Sequence, residues 1–293
     1  MADEMDGDGL DRDSLVTPPS TDNRPSVQQD ERVNYHPYRP SPSQPHRCTR
    51  LPCLFLVSVA AAVIGSSTQF GYSTGVLNSP QQVIRQSFED RNITFSSLEM
   101  NVAVSIFAIG GLLGAVSAGI LADFLGRKYT LLVNNLLVLI GAGLQSLAVH
   151  PGMFIAGRFV VGINSGINTV LVPLYISEIS PVRLRGAVGV LHQMAITVSL
   201  LLAQILGISK ALGRSDSDVF YGWRLLFAVP LLFSLVQLAL LPWSPRSPRF
   251  LLIKRKNEAA AKRALKRLRG AGANTDEEIQ EMQVIPITSH GLT

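Results

Sequence analysis

Eleven polar residues stand inside stretches of this chain that are otherwise apolar: Gln69, Tyr72, Thr74, Asn135, Gln145, Asn164, Asn168, Thr169, Gln193, Thr197 and Gln204. Most are uncharged amides and hydroxyls. An amide offers two N–H donors and two acceptor lone pairs, which suits a neutral ligand covered in hydroxyls. The same groups can equally spend themselves on bonds between helices, and for any single amide both readings stand. Proton pumps and ion pathways place carboxylates or His in mid-stretch. Here Glu178 lies at the end of one stretch, and Arg158 is the only charge well inside one. The set as a whole favours a neutral polar substrate over an ion.

Catalytic chemistry has no comparable support. The five His (His36, His46, His150, His192 and His290) are scattered, and GxSxG, Walker A, HExxH and paired carboxylates are all missing. An enzyme is not expected, and neither a cofactor nor a metal is implied. Cys48 and Cys53 are too few for a zinc site; they read as inert thiols or as acylation sites beside the first apolar stretch.

The elements that must position these residues follow from the charges. The chain has 293 residues, 47% hydrophobic and 16% charged, with a mean hydropathy of +0.26. Residues 1–50 and 246–293 each carry 15 charged residues, leaving only 17 for the 195 residues between them. So few charges cannot solvate a soluble fold, and an integral membrane protein is indicated. The net charge of +5 does not indicate nucleic acid, because residues 246–293 account for all of it.

A spanning helix needs about 20 apolar residues. Six candidates run near 54–77, 98–122, 130–149, 153–176, 187–208 and 224–243, separated by Asn78-Ser79-Pro80, Gly126-Arg127-Lys128, His150-Pro151-Gly152, Ser180-Pro181 and Gly213 to Asp218. Small residues at four-residue spacing let helices approach closely: Gly110 with Gly114; Gly111, Ala115 and Gly119; Gly71 with Gly75; Gly162 with Gly166. Spans one and four share a pattern of Gly pair, Asn and Pro (Gly71, Gly75, Asn78, Pro80; Gly162, Gly166, Asn168, Pro173). Three spans apart, this suggests a 3+3 repeat. The fold expected is an all-α membrane protein of six transmembrane helices over residues 51–245.

Lys and Arg cluster before span one (Arg47, Arg50), after span two (Arg127, Lys128), after span four (Arg183, Arg185) and after span six, which puts both termini in the cytoplasm. Asn92-Ile93-Thr94 then falls in the first external loop as an N-glycan acceptor. Residues 1–50, rich in proline and polar groups, read as a disordered cytoplasmic tail. Within 246–283 Asn257 caps a basic helix that stops at Gly270. That helix is either a solvated element docked under the membrane domain or a binder of anionic lipid or an acidic partner.

At this point several segments resemble known proteins. Gly119 through Lys128, with Asp123, Gly126 and Arg127, resembles the loop motif of the major facilitator superfamily after its second helix. An Asp at a helix end, a Gly turn and two cations form a charged latch. Five further segments are similar to facilitative sugar transporters of the GLUT type: Gln69 to Pro80, Gly157-Arg158-Phe159, Pro173 to Gly186, Leu191-His192-Gln193, and Pro245 to Ile253. The resemblance covers roughly residues 51–283, the N-terminal half of that fold. It implies facilitated diffusion of a hexose across the plasma membrane by rocking of two six-helix halves. Gln193 matches the amide that bonds the sugar, while Thr74, Asn78, Thr169 and Ile196 match cavity positions. Asp123, Arg127, Arg158, Glu178 and Arg185 match the charged gating network. Phe70 and Thr74-Gly75-Val76 lean toward glucose, with fructose as the alternative. A millimolar affinity, only about 4 kcal/mol, suits a carrier that must release its cargo.

Two departures stand out. Arg246 occupies the place of an acid in Pro245-Arg246-Ser247-Pro248, which is expected to weaken pairing with the basic latch. The chain also carries six helices where the resemblance implies about twelve, and its end, Val284 to Thr293, diverges, so it reads as a truncated product. Three readings follow: transport completed by a homodimer or a second half, a nontransporting isoform that binds or regulates a full-length transporter, or a six-span channel or receptor subunit. Membrane lipid is a partner in each.

Overall fold

The computed structural model describes residues 52–208, 218–270, 275–276, 278–280 and 282–283. The tail 1–50 with Cys48, the loop bearing Lys210 and Arg214, and the end 284–293 lie outside the described residues. Every regular element described is helical. Among the described residues six helices are long and apolar enough to cross a membrane: Cys53–Gly75, Ser97–Leu125, Arg127–Ser146, Pro151–Ile179, Val182–Leu206 and Gly222–Trp243, called spans one to six.

Local chemistry sets the boundaries. Ser96 and Glu99 form a capping box at the start of span two, each side chain bonding the other's backbone N–H. Gly126, at φ +84, separates spans two and three by a single residue. Arg127 and Lys128 therefore lie in the first turn of span three, not in a loop, a correction to the expected start near 130. Between spans one and two a short helix, Gln81–Glu89, which the hydrophobic pattern did not reveal, buries Ile84 and Phe88. Span one is interrupted by a π-helical turn, Val63–Ser67. The turn feeds two neighbours: Ser66 accepts from Gln237 Nε2 of span six at 2.6 Å, and Ser67 shares a 2.7 Å bond with His192 Nδ1 of span five.

Close backbone approaches at glycine give the packing directions. Spans one and five run parallel: a methyl added at Gly71 would lie 2.1 Å from the Ile196 carbonyl oxygen, and one at Gly75 would lie 2.9 Å from that of Leu200. Spans two and four are likewise parallel, with Gly166 so close that a methyl would lie 2.0 Å from the Gly111 carbonyl oxygen. Only glycine permits such backbone contact. The two Gly pairs thus do the same work, each seating the first helix of one triplet on the second helix of the other, as a 3+3 repeat requires. Gly119, expected to join this packing, faces open space.

Two apolar cores fill the bundle. One, near the Cys53, Ile179 and Leu241 ends, contains Phe55, Val59, Leu171, Tyr175 and Ile179. The other, near the opposite ends, is aromatic: Phe88, Phe95, Phe154, Trp223 and Phe227. Trp223 donates to Ser87 Oγ at 3.1 Å, tying span six to the short helix. Residues Glu258–Arg269 form the helix that Asn257 caps, its side chain accepting from Ala260 N–H at 2.9 Å. Leu268 of this helix enters the first core, and Arg269 donates to the Ile179 carbonyl at 2.7 Å. Glu258 and then Asp276 hold the Lys262 ammonium charged, raising its pKa above the usual lysine value.

Candidate functional site

The sequence-derived site residues separate into three places. The first is an ionic latch at the end where spans two, three and four meet. Glu178, 5% exposed, receives Arg127 through Nε and Nη2, both at 3.1 Å to Oε1. Its Oε2 accepts the Ser247 hydroxyl at 2.5 Å. Asp123 meets Arg127 at 3.5 Å and Lys254 at 2.9 Å. A second bond from Arg127, to the Ala122 carbonyl at 3.2 Å, joins it to the last turn of span two. Arg185 is exposed and carries no ion pair to Glu178; the two line one cavity of about 80 Å³ together with Ser177, Arg249 and Met282.

Arg158 stands apart from this latch, contrary to the single charged network expected. It is 2% exposed and lies near the opposite ends of the spans, donating to the Ser73 carbonyl at 2.9 Å and the Ala103 carbonyl at 3.3 Å. Its guanidinium lies 4.4 Å from the centroid of the Phe107 ring. Carbonyl dipoles and a ring face, not a carboxylate, stabilise this charge. It staples spans one, two and four at depth.

The third place is an open face. Thr74 of span one, Asn78 of the turn after it, Gln193 and Thr197 of span five, and Thr169 of span four are exposed, and Ile196 is half-buried. Gln193 and Thr197 follow one another on one helix face, while Asn78 lies in the turn just beyond the helix that carries Thr74. Asn78 and Thr169 each fall three residues after the second Gly of their pair, so they occupy equivalent places in the repeat. Pro173 has no N–H and leaves the Thr169 carbonyl without its usual helical partner.

The remaining polar residues are largely consumed by the bundle. Asn134 Nδ2 donates to Asn168 Oδ1 at 2.8 Å, and Asn168 Nδ2 donates to Gln69 Oε1 at 3.3 Å, a buried chain across spans three, four and one. Gln145 Nε2 reaches the Gly157 carbonyl at 3.2 Å, and Asn135 Oδ1 accepts from Ser234 at 2.9 Å. Tyr72 donates at 3.0 Å to the Leu226 carbonyl, the acceptor that Pro230 leaves free in span six. The amides therefore divide between those bonded across helices and those left exposed.

Ser247 and Lys254 were given no role by the sequence. A Ser before Pro248 at a helix start is a recognisable N-cap, and Ser247 does accept from Phe250 N–H at 3.2 Å. Nothing local marks Lys254, whose partner lies 131 positions away. Arg246 stacks 4.7 Å over the Tyr129 ring, while Lys128 is satisfied by the Pro242 and Ser244 carbonyls, each at 2.7 Å. The latch lysine thus takes carbonyl oxygens where an acid was expected at 246. Among the described residues no three His, Cys, Asp or Glu side chains gather so as to hold a metal ion.

Residues 58–287 match the family model described as sugar (and other) transporter. The chain belongs to this family. Human solute carrier family 2, facilitated glucose transporter member 4, is 40% identical over 238 residues, covering 75% of this chain and 45% of that protein. Member 1 of the same series from Gallus gallus is 36% identical over 80% of this chain and 49% of the relative. The partially occluded, inward-open xylose transporter XylE from E. coli superposes with a TM-score of 0.70 at 25% identity, covering 82% of this chain and 61% of that one. XylE bound to 6-bromo-6-deoxy-D-glucose superposes with a TM-score of 0.68 at 25% identity, covering 78% of this chain and 52% of that one. These relatives are transporters, not enzymes. The chain spans about half the length of the curated relatives it matches. It is a multi-pass membrane member of the sugar transporter family, with the six-helix architecture of a major facilitator half.

Proposed function

We propose that this chain is the sugar-handling half of a facilitative hexose carrier of the plasma membrane. One observation carries the reading. The bundle uses up Gln69, Asn135, Gln145, Asn164 and Asn168 internally but leaves Thr74, Asn78, Thr169 and Gln193 exposed with no charge among them. In lipid such groups are costly, so they belong against water or a hydroxylated ligand. Gln193 is the principal sugar ligand, and Ile196 the apolar contact one turn on. Glucose is the favoured substrate and fructose the alternative.

The latch of Asp123, Arg127 and Glu178, with Arg185 beside it, lies on the cytoplasmic side with both termini and holds one conformation closed at that end. Arg158 steadies the opposite end. Asn92, exposed at φ 59 after the helix Gln81–Glu89, carries an external glycan. Rocking against a second six-helix body completes the alternating-access cycle. That body is a second copy of the chain or a full-length transporter.

The test is hexose uptake into liposomes holding only this 293-residue chain. Saturable uptake, lost in Gln193→Ala, supports the reading; no uptake from correctly inserted protein overturns it for this chain alone. A second reading, a nontransporting isoform that binds a full-length carrier, is favoured by spans two and five. Only 17% and 22% of their most apolar windows are buried, which leaves two apolar faces for a partner. Co-purification with a full-length carrier, combined with unchanged absence of uptake, distinguishes it.

A further inference from the structure

Next to the latch, three cations converge without a carboxylate. Arg246 lies over the Tyr129 ring and donates to its hydroxyl at 2.8 Å. Lys128, the neighbouring residue of span three, holds two carbonyls, and both Arg246 and Arg267 lie within electrostatic range of it. Among the described residues no Asp or Glu pairs with any of the three. The described acids at this end are engaged elsewhere: Asp123 by Lys254 and Arg127, Glu178 by Arg127, Glu258 and Asp276 by Lys262, and Glu278 by Arg269. Like charges held together by carbonyls and a ring, with no counter-ion among the described residues, call for an anion to balance them.

The donors to receive one are in place. Lys128 has three N–H groups and spends two; Arg246 spends one N–H of five on Tyr129, whose own O–H stays available. Depth identifies the source. Tyr129 and Trp243, 41% and 74% exposed at the ends of spans three and six, are of the type that settles at the headgroup level of a bilayer. The third cation is fixed at that level too, because the helix Glu258–Arg269 is pinned by Leu268 in the core and by Arg269 on the Ile179 carbonyl.

We propose that Lys128, Arg246 and Arg267, with the Tyr129 hydroxyl, form a binding site for the phosphate of an anionic lipid headgroup. The site clamps span three, the Pro245–Pro248 turn and the helix Glu258–Arg269 to the membrane surface beside the latch. It acts independently of which sugar the chain handles.

Tryptophan fluorescence of the full chain in bilayers tests it. The chain has two Trp: Trp243 is beside the site, while Trp223 is 2% exposed in the aromatic core toward the opposite ends. Brominated phosphatidylglycerol is expected to bind near Trp243 about five- to thirtyfold better than brominated phosphatidylcholine, the scale of one to two surface cations. Trp243→Phe removes the quenched component and identifies the reporter. R246E combined with R267E should bring the ratio to about one, whereas R255E combined with R263E, the same charge change outside the cluster, should leave it high. Equal quenching by both lipids in the unaltered chain, or an equal loss in both double variants, overturns the site. Loss of the lipid preference in millimolar inorganic phosphate would show that the cluster takes a soluble phosphate and overturn the lipid assignment.

Discussion

Ser247 donates its hydroxyl to Glu178 Oε2 at 2.5 Å while its own Oγ accepts the N–H of Phe250 at 3.2 Å. One side chain thus starts the helix Pro248–Ile253 and closes the second oxygen of the latch carboxylate. Ser247→Ala removes a cap and a charge-assisted bond together, and a loss of about 1–2 kcal/mol is expected. Glu178→Gln leaves Arg127 with Asp123, at 3.5 Å, as its remaining carboxylate, and should cost more, about 2–4 kcal/mol. Thermal melting of the purified chain in detergent ranks the two; a larger loss in the Ser variant would contradict this account.

The glycines offer a graded test. Gly166→Ala places a methyl 2.0 Å from the Gly111 carbonyl oxygen and Gly71→Ala places one 2.1 Å from that of Ile196, so both must push parallel helices apart. A loss of about 1–3 kcal/mol is expected for each. Gly119→Ala meets nothing within 4 Å and should be neutral or slightly stabilising, since Ala favours helix. Melting temperatures of the three variants check the order.

Gln193 and Asn168 differ in what they serve. Asn168 bonds Asn134 and Gln69 across spans, and interhelical bonds in membranes average about 0.6 kcal/mol, so Asn168→Ala should cost about 1–2 kcal/mol. Gln193 is exposed, and Gln193→Ala should melt within about 0.5 kcal/mol of the unaltered chain while abolishing any hexose-induced thermal shift. The opposite pattern would place the sugar among the buried amides.

Arg158 bridges two carbonyls from spans one and two with a planar fork. Arg158→Lys keeps the charge but loses the fork and the ring contact with Phe107, and a loss of about 2–3 kcal/mol is expected. Circular dichroism melts distinguish this from a role for the charge alone, for which Lys would substitute without loss.

Asn92→Gln should remove one glycan-sized mobility shift from protein made in a glycosylating cell. The unaltered chain should lose the same shift on enzymatic deglycosylation. A shift that persists in the variant would place the external loop elsewhere.

The sites differ in how far local pattern revealed them. Asp123, Gly126 and Arg127 lie within five residues, and that local motif, with the family resemblance it carries, described a latch. Its far side did not follow, because Lys254 and Ser247 reach it from 131 and 69 positions away. The family resemblance groups Arg158 with the latch; its two carbonyl partners, from different spans, carry no sequence signal. The short helix Gln81–Glu89 escaped notice because its polar residues hide an apolar face of Ile84 and Phe88.

The sequence by itself determined the class of the molecule: six apolar stretches with charges swept to the ends leave only a helical bundle in a bilayer, since lipid satisfies no backbone groups. It also announced the repeat, through two Gly pairs three spans apart. Only the tertiary structure decided which amides are structural and which are open. Asn168 and Gln193 have the same chemistry and similar surroundings in sequence. What separates them is the direction each helix face takes once Gly71, Gly75, Gly162 and Gly166 have set the helices against one another.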